Sequence, residues 1–194
     1  MGADTQDAVI HSSWNPVFEK FKIISTSGVT FRVFSKDIKD IKIVLLGQDP
    51  YPGRSDGLSF SVPKDVKIPG SLKNIFKELN GTFPERGYQF IHGDLERWFN
   101  NGIFLLNCSL TIGEMKKWTP FINYVIKYIS ENTDAVFILL GNHAKSKSKL
   151  IDKTSIVKKF VTAIHPSPST HGFIGSGVFK KVENVLGEQF DWQN

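Results

Sequence analysis

The chain has 194 residues and a formal charge of +5, with 40% hydrophobic and 22% charged residues. That is the length of one domain with enough apolar material for a core, and the modest basic excess favours a polyanionic partner. The lone cysteine, Cys108, excludes an intramolecular disulfide, and no apolar run reaches the roughly 18–20 residues of a membrane-spanning helix.

The opening "MGADTQDAVIHSSW" is polar and has no signal-peptide core. Its Met-Gly start does not continue as a myristoylation signal, because Gln6 stands where Ser or Thr is required. Residues 1–12 are expected to form a flexible N-terminus on a single domain spanning 1–194. Trp14, Val17, Phe18 and Phe21 then fall at helical spacing. The apolar run "IKIVLL" (41–46) predicts a strand buried on both faces, as do "IFLL" (103–106), "AVFILL" (135–140) and "FVTAI" (160–164). Helices are predicted between them. "SLKNIFKELN" has Ser71 as N-cap, and "DLERWFNNG" has Asp94. "TPFINYVIKYIS" has Thr119 as N-cap and Pro120 at the first helical position. "GVFKKVENVLG" closes the pattern, with Val178, Val182 and Val185 on one face.

Strands alternating with helices predict an α/β fold, a three-layer α/β/α domain around a central four-stranded parallel sheet. Ligands of such sheets bind beyond the carboxyl ends of the strands. The segments there are "GQDPYPG", "NCSLT", "GNHAK" and "HPSPST". They place Asp49, Tyr51, Asn107, Asn142 and His165 along one rim. Taken singly, each loop is open to a plain turn or core reading: Asp49 and His165 precede prolines, and Tyr51 and Phe60 are ordinary core aromatics. The Lys-rich "HAKSKSKLIDK" (143–153) is open to two readings, a solvated helix face or a contact to a polyanionic partner.

No G-x-G-x-x-G follows a strand and no G-x-x-x-x-G-K-[ST] occurs, so no nucleotide cofactor is expected. Scattered histidines and a single cysteine predict no metal site. A carboxylate, an amide, an imidazole and aromatics remain. They suit hydrolysis of a glycosidic bond to a flat, hydrogen-bonding ring. The carboxylate stabilises a cationic sugar. The amide reads a ring edge, the imidazole stabilises a departing anion, and an aromatic supplies a stacking face.

"GQDPYPG", "GLSFSV", "SLKNIFKEL", "LLNCSLT" and "HPSPS", in this order, resemble the family 1 uracil-DNA glycosylases, and the closing "DWQN" is similar as well. The resemblance runs from about residue 40 to the end, and more loosely includes "SWNPVF". It implies that Asp49 positions water and stabilises the oxocarbenium-like sugar, and that Gln48 contacts uracil through its backbone. Tyr51 would exclude thymine's methyl group, Phe60 would stack on the flipped base, and Asn107 would pair with its N3–O4 edge. His165 would bond O2 as neutral imidazole. Ser71, Gly141, Asn142 and Ser167 would grip flanking phosphates, with Ser169 and Thr170 also on the DNA surface. The implied partner is uracil-containing DNA, single- or double-stranded, bound by a monomer without a cofactor. Replication or repair proteins are further expected partners. An intracellular location is expected: cytoplasm for a bacterial protein, nucleus or site of viral DNA replication otherwise.

The chain departs from the family in places. Pro52 stands where most relatives have His, as in the poxviral branch, and only "IGEMKK" separates Thr111 from Trp118. Asn142 replaces the usual Ser, and Ser169 replaces the Leu that wedges into the duplex. A stronger preference for single strands than that of a Leu-bearing relative is therefore expected. Phe173 and Ile174 are set aside as substitutes because "GFIG" resembles the family's own "GFFG". The competing function is a DNA-binding accessory or processivity protein in which catalysis is dispensable. Asp49, Asn107 and His165 together favour the enzyme.

Overall fold

The computed structural model describes residues 9–23, 31–151 and 159–194. Most of the segment expected to be flexible, residues 1–8 of 1–12, lies outside them, as do residues 152–153 of the Lys-rich stretch. Four strands form the sheet: β1 (Ile43–Gly47), β2 (Ile103–Asn107), β3 (Val136–Leu140) and β4 (Phe160–Ala163). All pairings are parallel, in the order β2-β1-β3-β4. Leu45 lies in register with Leu105 on one side and Ile138 on the other.

Every residue of β1, β2 and β3 is buried, so both faces of the sheet are covered. This is the pattern the continuous apolar runs predict. β4 differs: Thr162 is exposed between buried Val161 and Ala163. Among the described residues it pairs only with β3, and alternation is what a half-covered edge strand requires. Ile164, expected in the strand, has left it and is exposed.

The helices are α1 (Asn15–Phe21), α2 (Gly70–Thr82), α3 (Glu96–Asn100), α4 (Met115–Asn132), α5 (Gly141–Lys145) and α6 (Val178–Leu186). α1 and α4 pack together and bring Trp14, Phe18 and Phe121 to Phe34. The Trp14 ring also stacks on Phe104 of β2, 5.2 Å between centroids.

Three expected caps move. α2 begins at Gly70, with Pro69 in the cap position, so Ser71 is inside the first turn and caps nothing. Extended Pro69 launches the helix two residues early, and Gly70 has no side chain because Pro168 fills that space. α3 has Leu95 at its cap position, but the Asp94 carboxylate still accepts from Glu96 N at 2.8 Å. α4 starts four residues before Thr119, which leaves Pro120 in the helix interior. Tertiary contacts build the added turn. Trp118 is buried, its Nε1 donates to Thr111 Oγ1, and the Thr111 hydroxyl donates to Glu114. Thr119 Oγ1 donates back to Met115 O.

The C-terminal segment is held by a buried ion pair. Arg86 donates to both carboxylate oxygens of Glu183 at 2.6 and 2.8 Å. Glu183 also accepts from Phe190 N and Trp192 Nε1, and Trp98 Nε1 donates to Trp192 O. Burial alone would raise the Glu183 carboxyl, but Arg86, Phe190 and Trp192 together hold it below the usual glutamate range. A depressed folded-state value means stability that is present above the unfolded glutamate range and lost as pH falls through the folded value. Glu183→Ala should therefore cost about 3 kcal/mol at pH 7, because it leaves the partly buried Arg86 guanidinium without its carboxylate and removes the acceptor of Phe190 N and Trp192 Nε1. Urea denaturation should show the difference from the wild type shrinking as pH is lowered through the glutamate range.

Candidate active site

The first part of the site is set by a missing side chain. Gly47 ends β1 in register with Asn107, the last residue of β2. A Cβ at Gly47 would collide with Asn107 Oδ1 and come within 2.8 Å of Ser59 Cβ. Glycine therefore lets Asn107, only 7% exposed, lie across the end of the neighbouring strand. The ladder continues past the strands, as Cys108 N donates to Gly47 O and Ser109 N to Gln48 O. Those bonds fix the start of the Gln48–Asp49–Pro50–Tyr51 turn.

Asp49 follows directly. Among the described residues, no protein donor reaches its buried Oδ1. Its charge reaches across to Cys108 and to His143 of α5. Burial, countered by Lys147 and reinforced by Asp49, pushes the Cys108 thiol up to about 11, so it stays protonated at neutral pH. Burial and then Lys147 push the His143 imidazole down, and Asp49 opposes them. Tyr51 is half-buried, and burial raises its phenol above the ordinary value despite Arg54 nearby. It remains a neutral ring.

Phe60 is 8% exposed and has a left-handed backbone, φ +64°. A non-glycine residue held there costs on the order of 1–3 kcal/mol, and the surroundings must impose it. They do so from several sides. Ser59 N donates to Leu105 O, and Ser59 Oγ to Leu45 O. The Asp56 carboxylate accepts from Leu58 N at 3.1 Å and from Ser61 Oγ at 2.5 Å, bracketing Phe60. Arg32 in turn donates to Asp56 O and pairs with the Asp56 and Glu96 carboxylates. Asp56 and Arg32 have no motif in the sequence beyond an Asp-Gly turn, and their role is visible only in this bonding.

His165 stands past the end of β4. Its Nδ1 accepts from Ser167 N at 3.1 Å, and burial lowers its pKa below the usual histidine value. A neutral ring whose Nδ1 accepts carries its proton on Nε2, so the free edge is a donor. Gly141, at φ +81°, gives the ring its place: a Cβ there would lie 2.9 Å from His165 Cβ. Thr170 Oγ1 donates to His165 O and Ser167 O, and Ser167 Oγ shares a hydrogen bond with Ser169 Oγ at 2.8 Å. Pro168 packs on Gly70, beside Ser71, and Asn74 Nδ2 donates to Pro166 O at 2.9 Å.

The rim residues thus fall into contacting sets: Gly47 with Asn107 and Ser59 next to Phe60, Asp49 facing α5, and Gly141 against His165. Ser71 lies by the His165 loop, and Asn142 is exposed at the start of α5. The Lys-rich stretch is not wholly solvated. Lys147 is 6% exposed and donates to Asn123 Oδ1 at 2.8 Å. Among the described residues, no three His, Cys, Asp or Glu are grouped to hold a metal ion, and no helix is long and apolar enough to cross a membrane.

Residues 35–186 match the profile of the Uracil DNA glycosylase superfamily. The chain is 44% identical over 183 residues to a uracil-DNA glycosylase of Borrelia turicatae, covering 88% of this chain and 80% of that protein. A uracil-DNA glycosylase of Campylobacter jejuni is 37% identical over an alignment of 211 positions, covering 100% of this chain and 83% of that one. Among solved structures, a mimivirus UNG variant in complex with UGI superposes with a TM-score of 0.71 at 26% identity, over 89% of this chain and 75% of that one. The mimivirus uracil-DNA glycosylase has the same fold, with a TM-score of 0.72 at 24% identity over 90% of this chain and 78% of that one. With the profile spanning most of the chain and relatives this similar along nearly its whole length, the chain belongs to the uracil DNA glycosylase superfamily.

Proposed function

We propose that this chain carries out its family's reaction, hydrolysis of the bond between uracil and deoxyribose in DNA, through Asp49, Tyr51, Phe60, Asn107 and His165. The observation that carries the assignment is the pairing of a buried Asp49 carboxylate oxygen without a protein donor and a neutral His165 that presents Nε2–H. The glycosidic bond breaks with its electron pair going to uracil N1, and the water oxygen bonds to C1′ as one water O–H bond breaks and its proton passes to the Asp49 carboxylate and on to solvent. A carboxylate stabilises the positive sugar and orients the water. An Nε2–H donor stabilises the negative charge arriving on uracil O2. Phe60 supplies the stacking face, Asn107 the amide that pairs with N3 and O4, and the Gln48 backbone a further uracil contact. Tyr51 excludes a 5-methyl group. Ser71, Gly141, Asn142, Ser167, Ser169 and Thr170 form the phosphate-facing rim of the DNA surface. The protein acts as one domain and as a monomer, without cofactor or metal, inside the cell, on single- or double-stranded DNA. Replication or repair proteins are its further partners. A UGI-like inhibitor is another candidate, by analogy with the mimivirus variant.

Release of uracil from a labelled oligonucleotide in EDTA tests the metal-free reading: the wild type should keep its full rate. In the same assay Asp49→Asn should lower the single-turnover rate by about a thousandfold, with DNA affinity nearly unchanged, because the lost charge acts mainly in the transition state. A rate near that of the wild type would remove Asp49 from the chemistry.

Tyr51→Ala should admit thymine and release it slowly, since the removed ring is the barrier to the methyl group. A correctly folded variant that still rejects thymine completely would reassign Tyr51.

The pH profile tests His165. Its lowered pKa keeps the imidazole neutral at pH 7 and somewhat below. The single-turnover rate should hold as pH falls through the ordinary histidine value of about 6.5. Loss of rate centred at or above that value would mean that a charged imidazole is being formed.

A further inference from the structure

We infer that Ile174, set aside on the likeness of "GFIG" to "GFFG", is the side chain that enters the DNA stack when uracil leaves a duplex, because exposure in the fold and not motif likeness decides what can insert. The inference rests on the uracil-excision reading and concerns duplex substrate alone. Extruding a base costs a few kcal/mol of stacking and pairing. Proteins that open DNA offset such costs with an apolar wedge, Ile among the residues used. Ser169 cannot serve, being small and polar, with its hydroxyl bonded back to Ser167. Phe173 is 1% exposed and belongs to the core.

Ile174, the next residue, is 52% exposed. Its β-branched side chain has few rotamers to lose on insertion. The backbone beneath it is fixed. Buried Glu78 of α2 accepts from Gly175 N at 2.5 Å, Gly177 N at 2.7 Å and Ser176 Oγ at 3.1 Å. Phe173, buried on the preceding side, anchors the other end.

Its place relative to the base site follows from α2. Gly70 meets Pro168, Asn74 bonds Pro166, and Glu78 bonds Gly175. Successive contacts are four residues apart, about 6 Å along the helix axis. Along that axis the Pro166 anchor, next to His165, lies between the Pro168 and Gly175 anchors, about one helical turn from each. Along α2, Ile174 therefore lies on the opposite side of the Pro166 anchor from Ser169. Lys181 Nζ donates to Ser176 O, setting a positive charge beside the same loop, where phosphates would pass.

Other exposed isoleucines are placed less well. Ile164, next to His165, is less exposed at 43% and lays its Cδ1 on Gly172, where an added Cβ would lie 3.1 Å away. Ile112 is two residues from Glu114, an exposed carboxylate held ionised by its Thr111 and Lys117 contacts. Ile91 sits between Gln89 and His92, which bond the C-terminal residues Gln193 and Asn194.

The test is kcat/KM on matched single- and double-stranded uracil oligonucleotides. Ile174→Ala should lower the duplex-to-single-strand ratio about tenfold, with single-strand turnover within twofold of wild type. Ile174→Leu should keep the wild-type ratio, as should Ile91→Ala and Ile112→Ala. A second readout needs no turnover. In an Asp49→Asn background, 2-aminopurine next to the uracil should brighten on binding duplex, and adding Ile174→Ala should remove most of that rise. An unchanged ratio, an equal loss on both substrates, or an undiminished 2-aminopurine signal overturns the inference. Single-strand release by the wild type reports separately on the uracil-excision reading.

Discussion

One face of α2 organises the functional edge of this protein. Gly70, Asn74 and Glu78 recur every four residues, so they line one side of the helix. Each makes a different contact with the segment that follows β4. Gly70 leaves room for Pro168, Asn74 satisfies Pro166 O, and Glu78 satisfies two backbone N–H groups and a hydroxyl. A long surface loop is thereby held in one conformation, and His165 has a fixed position relative to the sheet. The buried Glu78 carboxylate is tolerable because every bond it accepts comes from this loop or from Thr82.

The other half of the site depends on close approach rather than on bonding. Gly47 and Gly141 stand at the ends of β1 and β3, and each leaves space for a side chain from a neighbouring segment, Asn107 at the end of β2 and His165 past the end of β4. Local strain accompanies this packing. Phe60 is held left-handed by a network that runs through Asp56, Ser61 and Arg32. On the proposed reading, an aromatic platform imposed by its surroundings would have little freedom to lose when a base stacks on it, which is the advantage of a preorganised site.

Electrostatically the site is sparing with charge. The imidazole of His165, the phenol of Tyr51 and the thiol of Cys108 are all kept neutral by burial. Asp49 and Lys147 act in opposite directions on His143 and Cys108. With few mobile charges to reorganise, a carboxylate acts more strongly on a developing cation than it would in water.

Much of this was legible in the amino-acid order. Continuous apolar runs identified the buried parallel strands, and the loops after them already contained Asp49, Tyr51, Asn107 and His165. Those signals are local, because a strand buried on both faces has to be apolar throughout. Other features depend on partners distant in sequence. The extra turn of α4 exists because Trp118 is buried and reaches Thr111, and Thr-Pro read alone looks like a helix start. Ser71 lost its capping role to the fit between Gly70 and Pro168, 98 positions apart. Lys147 looked solvated within a lysine-rich run until Asn123 was placed beside it. Side-chain chemistry and periodicity are properties of neighbours along the chain. Steric room, burial and strain are properties of neighbours in space, and only the folded arrangement decides them.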